Sequence, residues 1–237
     1  MISSKSKPKI VFHLVTIFPK LIDSYWRESI IGRAIKQGLI RVVTHNLRDF
    51  SADQKHRRID GRPYGGGPGM VFEAEPIVRA VTKIRGRRRS KKVKVLIMAA
   101  GGRPFTNRLA ERWAKQYEQI ILIAGRYEGI DARVRRLISG AEEISVGPYV
   151  LTGGELPAAV IVDAMSRQIP GVLHAEQSLE EKRISSRAVY TRPEVITFRG
   201  RRFRVPKILL SGDHAKIDEW KAKPNRQFDL SPPIPET

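Results

Sequence analysis

Three glycine-bearing stretches, AAGGRPF (99–105), AGRYEGID (124–131) and SVGPYVLTGGELP (145–157), mostly follow apolar runs that read as strands. A fourth, RPYGGGPGM (62–70), puts four glycines and two prolines into nine positions. A plain turn needs one glycine, so several together mark backbone that something approaches closely. The chemistry on offer is recognition by peptide N–H and C=O groups. Phosphate signatures do not match. The loop G-x-x-x-x-G-K-[ST] is absent. G-x-G-x-x-G fails because Met70 stands where the last glycine belongs, and because the glycines of GRYEGI are four apart. The histidines, at 13, 45, 56, 174 and 214, form neither H-E-x-x-H nor a close pair. A Walker-type NTPase and an ordinary nicotinamide enzyme are therefore set aside. In parallel α/β proteins, loops at the carboxyl ends of strands bind ligands, and that is the expected site here.

Charge points to a second partner. The 237 residues carry 44 Lys and Arg against 24 Asp and Glu, an excess of 20 that exceeds the needs of a solvated surface. It is clustered: KIRGRRRSKKVK (83–94) has eight basic residues in twelve and no acid, and RGRRFRVPK (199–207) has five in nine. Such runs seek phosphate without reading sequence. A membrane surface would attract them too, but no amphipathic anchor helix is evident, so nucleic acid is the expected partner. There is no cysteine, which fits a reducing compartment and excludes thiolate metal sites. The apolar runs are too short to span a bilayer. The N-terminal stretch, with its His13 and no small-residue cleavage site, reads as a polar lead into a first strand rather than a signal peptide. No membrane association and a cytoplasmic location are expected.

The elements that must position these loops alternate. Strands are expected at 9–17, at LIRVVTHNL, KVKVLIMAA and QIILIAG, with EEISVGPYVLTGG extended and then turning. Helices are expected over 20–38, ending at Gly38, over about 75–84, at TNRLAERWAKQY with Thr106 or Asn107 as cap, at IDARVRRLI, and at ELPAAVIVDAMSRQI. The alternation predicts a parallel sheet covered by helices. After PGVL the chain turns polar, then basic and short-stranded, with one helix at HAKIDEWKAK behind an SGD cap. The expected division is a domain over 1–173, a linker over 174–189 and a small domain over 190–237.

RPYGGGPGM, GRYEGID, VGPYVLTGGELP and SRQIPGVL, followed by YTRPEV and SGDHAKIDEWK, resemble the bacterial tRNA (guanine-N1)-methyltransferases, the TrmD family, in order and spacing from about residue 9 to 223. The resemblance implies an α/β fold: a SPOUT-type, trefoil-knotted parallel-sheet domain plus a small, mostly helical C-terminal domain. It implies a homodimer, S-adenosylmethionine as methyl donor, and guanosine 37 of the tRNA anticodon arm as acceptor, with room left for Mg2+. Composition and periodicity show none of this.

By the same resemblance, the donor is held by Met98, Ala100, Gly102, Gly125, Tyr127, Glu128, Gly129, Val146, Gly147, Pro148, Tyr149, Val150, Leu151, Gly153 and Gly154. Glu128 faces the sulfonium or a magnesium ion, or else pairs with Arg126 or Arg133. The flipped guanosine is bordered by His56, Asp60, Pro68 and Gly69. Ser211 and His214 belong to the tRNA-gripping module. Arg167 matches the arginine that stabilises charge on guanine O6, a role suited to a planar, always-charged fork of donors. The family's catalytic aspartate falls nine residues after Leu173, where this chain has Lys182 in a linker shorter by about four residues. Glu181, then Glu180, are the nearest carboxylates. The alternative is that both are solvated charges. Gly61 stands where the family has a second Asp, Pro148 where it has an acid, and Ala99-Ala100 where it often has Ser-Pro. These departures keep open a rival reading, a non-catalytic RNA-binding relative. A SPOUT enzyme acting on ribosomal RNA fits the RPYGGGPGM and YTRPEV segments less well.

Overall fold

The computed structural model describes residues 8–86, 92–173 and 189–222. The chain divides into two compact units, Met1–Glu176 and Gln177–Thr237.

The first unit is built on five strands: β1 (Ile10–Thr16), β2 (Ile40–Asn46), β5 (Val93–Pro104), β6 (Gln119–Ile123) and β7 (Ala141–Ser145), in the order β2-β1-β6-β5-β7. Every pairing is parallel. A parallel sheet needs cover on both faces, and alternation along the strands supplies it. Phe12, Leu14, Leu96, Ile120 and Leu122 point to one side. They pack there on α1 (Asp23–Arg27), α2 (Ser29–Lys36), α4 (Asn107–Gln116) and α6 (Glu155–Ser166). Val15, Val95, Ile97, Ile121 and Ile123 point to the other, against α3 (Ala74–Arg85) and α5 (Arg133–Leu137). This is the α/β parallel-sheet domain expected from the alternation.

Two expectations need correction. The single helix over 20–38 is two, separated at Glu28, which is extended, and Ser29, whose φ is 53°. The break lets Gly32 tuck under the end of α1, where a Cβ would meet the Arg27 carbonyl oxygen at 2.3 Å. The strand at KVKVLIMAA does not end at Ala100. It runs to Pro104, with Met98 and Arg103 both opposite Ile144. The intervening residues form a bulge that bends the strand edge. Gly102 makes it possible, because a Cβ there would lie 2.5 Å from the Ile144 nitrogen. The Thr106 cap is as expected, its hydroxyl accepting from Leu109 N–H at 3.3 Å.

The short strands β3 (Asp60–Gly61) and β4 (Val71–Phe72) form an antiparallel pair that holds the ends of RPYGGGPGM. Gly65, Gly66, Gly67 and Gly69 all have positive φ, from 79° to 115°. L-residues avoid that region, so the four glycines are a backbone requirement.

A histidine pair bridges β1 and β2, with His13 Nδ1 3.0 Å from His45 Nε2. Burial, then His45 and Arg41, hold His13 down at about 4; burial, then Lys83, lowers His45 as well. A histidine whose folded value lies below its unfolded value near 6.5 favours folding fully above that value. The contribution is lost as pH falls towards 4. His13→Leu is expected to flatten the pH dependence of the melting temperature between pH 6.5 and 4. An unchanged slope would show that the pair does not govern acid stability.

The second unit holds a hairpin of β8 (Val195–Phe198) and β9 (Arg201–Arg204), a 3-10 turn over Lys207–Leu210, and α7 (His214–Ala222). Arg199 and Gly200, with φ of 49° and 73°, make the primed two-residue turn that suits hairpin twist. Asp213 caps α7 by accepting from Lys216 N–H at 3.2 Å. The Lys216 ammonium, then that backbone bond, lowers its carboxyl pKa.

Candidate active site at the carboxyl ends of the parallel strands

A cavity of about 440 Å3 opens at the bulge of β5 and where β6 and β7 end. That size suits a nucleoside-sized ligand. Of the fifteen donor residues named from sequence, thirteen line it: Met98, Ala100, Gly125, Tyr127, Glu128, Gly129, Val146, Gly147, Tyr149, Val150, Leu151, Gly153 and Gly154. Two do not. Gly102 serves strand packing at Ile144 instead. Pro148 is exposed at the apex of a turn closed by Tyr149 N–H donating to Gly147 C=O at 2.9 Å.

The walls are close-packed backbone. Gly154 N–H donates to Gly125 C=O at 2.9 Å, and a Cβ on Gly154 would sit 2.7 Å from the Ala124 Cα. No side chain fits between these loops, which is why two consecutive glycines precede α6.

Beneath the cavity lies a network that sequence reading missed. Glu155, at the start of α6, is 1% exposed. Its Oε1 accepts from Thr16 Oγ1 at 2.6 Å and from Arg126 Nε at 3.3 Å. Its Oε2 forms an ion pair with Arg126 Nη2 at 3.0 Å, without hydrogen-bond alignment. Arg126 Nη1 also donates to Thr152 C=O at 3.3 Å, and the guanidinium lies 4.6 Å from the centroid of the Phe18 ring. One arginine thus ties the ends of β1, β6 and the loop before α6. In the sequence, Glu155 reads only as an acid in the first turn of a helix, where the macrodipole favours it.

Glu128 does not pair with Arg126 or Arg133. Arg126 is held by Glu155, and Arg133 by Asp131 at 2.6 Å, which lowers the Asp131 carboxyl pKa. The Glu128 side chain instead lies over Gly69, where a Cβ would meet its Oε1 at 2.5 Å. Backbone bonds from Glu128 N–H to Met70 C=O and from Phe72 N–H to Gly129 C=O, both 3.0 Å, join the two loops. Only the Gly69 end of RPYGGGPGM therefore reaches the cavity residues. Gly65 to Gly67 have open space around them. His56 and Asp60 do not line the cavity either. His56 stays with Asp53, its Nδ1 3.3 Å from the carboxylate, and Asp60 pairs with Phe72 across β3 and β4.

Arg167 caps the carboxyl end of α6, its N–H donating to Asp163 C=O at 3.1 Å. The cavity lies at the other end of that helix, around Gly154 and Pro157. Ten residues at about 1.5 Å each put roughly 15 Å of helix between them. Ser211 and His214 belong to the second unit, where Ser211 Oγ bonds back to Ile208 C=O at 2.8 Å. Glu180 and Glu181 lie outside the described residues. Among the described residues, no group of three or more His, Asp or Glu is placed to hold a metal ion, and no helix is long and apolar enough to cross a membrane.

A cavity walled by strand-end backbone, fed by a glycine-rich loop and set in a strongly basic chain agrees with what the chain is similar to. The profile of the family tRNA (Guanine-1)-methyltransferase TrmD matches residues 10–228. The chain belongs to the TrmD family. A tRNA (guanine-N(1)-)-methyltransferase of Thermomicrobium roseum is 48% identical over 213 residues, 89% of this chain and 76% of that protein. That of Clostridioides difficile is 42% identical over 229 residues, 92% and 96% of the two chains. That of Geobacter sp. strain M21 is 44% identical over 224 residues, 93% and 86%. Membership makes the chain a methyltransferase and implies S-adenosylmethionine as the methyl donor of the family.

Proposed function

We propose that this chain transfers the methyl group of S-adenosylmethionine to N1 of guanosine 37 in tRNA, as a cytoplasmic homodimer. The observation that carries the proposal is the glycine-rich, largely backbone-walled cavity at 98–101, 125–129 and 146–154 within a TrmD-family chain. A donor without phosphates calls for peptide groups rather than free cations: the described basic residues of both charge runs stay out of the lining, and Arg126, which does line it, is paired with Glu155. Tight packing at Gly154 keeps the loops apart by the width of backbone alone. When bound, the donor supplies an electrophilic methyl on a sulfonium.

The remaining chemistry falls to the chain's own residues. Guanine N1 is a poor nucleophile until its proton leaves, so a base is needed there, and a donor is needed at O6 where charge develops. Arg167 is assigned to O6. Glu181, then Glu180, is assigned to the N1 proton. Lys182, at the family's aspartate position, would need a strongly depressed pKa to act as a base. His56, Asp60, Pro68 and Gly69 are assigned to the everted base, which needs a snug pocket. Asp60 and Gly69 are tied to the cavity loops through β3, β4 and Glu128. The described residues supply no ligand cluster for Mg2+. The trefoil path belongs to this proposal through family membership.

The distance between Arg167 and the cavity of its own chain favours a site made from two chains. On α6, Leu156, Val160, Asp163 and Arg167 form one stripe, with Leu156 55% and Val160 48% exposed. Tyr25, 43% exposed, joins that stripe through a 2.5 Å hydrogen bond to Asp163. Burial, then Asp163, pushes the Tyr25 hydroxyl up to about 12, so it stays a donor. A second copy covering this apolar stripe covers Arg167 with it.

Transfer of labelled methyl to tRNA transcripts bearing G37, and none to those bearing A37, is the expected result. Binding without transfer would favour the non-catalytic relative. A Glu181→Gln variant with an unchanged single-turnover rate would remove Glu181 as the base.

A further inference from the structure

The hairpin of the second unit has two unlike faces. Ile196 pairs with Phe203, and Phe198 with Arg201. Directly opposed residues share a face, as do alternate residues along a strand. Ile196, Phe198, Phe203 and Arg201 therefore lie on one side, and Val195, Thr197, Arg202 and Arg204 on the other. On the first side Ile196, Phe198 and Phe203 are 57%, 61% and 56% exposed. An isolated two-stranded hairpin is marginal in water. Three large apolar side chains side by side on one mark a binding surface.

Charge decides the occupant. Arg199, Arg201 and Arg202 meet no carboxylate among the described residues, and Arg204 reaches Glu194 only at 4.0 Å. The Arg199 guanidinium lies 5.3 Å from the centroid of the Phe198 ring at the hairpin tip. A second copy laid on this face would set Arg201 and the tip Arg199 against their counterparts. An apolar helix would leave them unanswered. Unpaired RNA satisfies both halves, since its bases are flat and apolar-faced and its backbone is anionic. Phe198 and Phe203 stand diagonally across the strands, about 7–8 Å apart, so each ring can take its own base.

We propose that the β8–β9 hairpin is a base-stacking platform on which Phe198 and Phe203 take unpaired bases of the anticodon loop, while Arg199 and Arg201 hold the adjoining phosphates. This goes beyond phosphate gripping, and it rests on the tRNA reading above only for the identity of the RNA.

The test is equilibrium binding, read separately from methyl transfer. The full-length protein is titrated with an anticodon stem-loop carrying 2-aminopurine at single loop positions. Phe198→Leu and Phe203→Leu keep apolar bulk but remove the ring. Each is expected to raise Kd about tenfold or more and to change the fluorophore signal at one loop position. Phe198→Tyr is expected to bind as the parent does. The salt dependence of Kd is expected to stay put in the Leu variants and to become shallower in Arg201→Ala. Leu variants that bind within twofold of the parent, with unchanged fluorescence, overturn the proposal. So does a fall in oligomeric mass of the Leu variants, which would show that a second chain covers the face. If the parent binds the loop but transfers no methyl, the catalytic reading fails and the platform stands.

Discussion

Arg167→Ala is expected to lower methyl transfer by about a hundred- to a thousandfold, the loss typical of removing one donor to a developing oxyanion. Donor binding should survive, because Arg167 does not line the donor cavity. The decisive form of the experiment mixes two inactive proteins. Gly154→Val puts a side chain where even a Cβ would lie 2.7 Å from the Ala124 Cα, and should abolish donor binding. Each variant alone is expected to be inactive. Unfolded and refolded together in equal amounts, they form mixed dimers in which one of the two sites draws an intact cavity from one chain and Arg167 from the other. Random pairing makes half the dimers mixed, so about a quarter of parental activity returns. No recovery, with mixed dimers shown by mass, would place Arg167 and the cavity in the same subunit's site.

Glu155→Ala is expected to cost about 3–5 kcal/mol of stability, the usual penalty for stripping one partner from a buried ion pair. For a domain of this size that is a fall in melting temperature of roughly 6–20 °C. The cause is specific. Arg126 would keep its charge, with only the Thr152 carbonyl and the Phe18 ring left to answer it among the described residues. The Thr16 hydroxyl would lose its acceptor. Glu155→Gln retains an acceptor for Thr16 and should fall between the parent and the alanine variant. Because Arg126 ties three loops around the cavity, donor affinity should weaken at temperatures where Glu155→Ala remains folded. A melting temperature within 2 °C of the parent would mean the pair is energetically idle.

These two predictions differ in how far the sequence anticipates them. Strands at 10–16 and 119–123 are visible because they are short, mostly apolar and β-branched runs, as parallel strands covered on both faces require. The Thr106 cap is visible because capping is local chemistry. The break at Glu28 is not. No proline or glycine marks it, and its reason, Gly32 beneath Arg27, is tertiary. The continuation of β5 to Pro104 hides for the same reason: Ala99 to Gly102 look like a loop until β7 is placed beside them. At the site, the glycines announce backbone contact by their number alone. The partnership of Glu155 with Arg126, 29 positions away, leaves no periodic trace. Neither does the separation of Arg167 from the cavity, which depends on which end of α6 faces the strand ends.

The strand order carries a cost during synthesis. β1 is flanked by β2, which leaves the ribosome soon after it, and by β6, which begins only at Gln119. At ~5–20 residues per second, an apolar strand edge waits several seconds for its second neighbour. Nascent chains halted shortly before residue 119 should therefore be bound by ribosome-associated chaperones, and those halted beyond the end of β7 should be released.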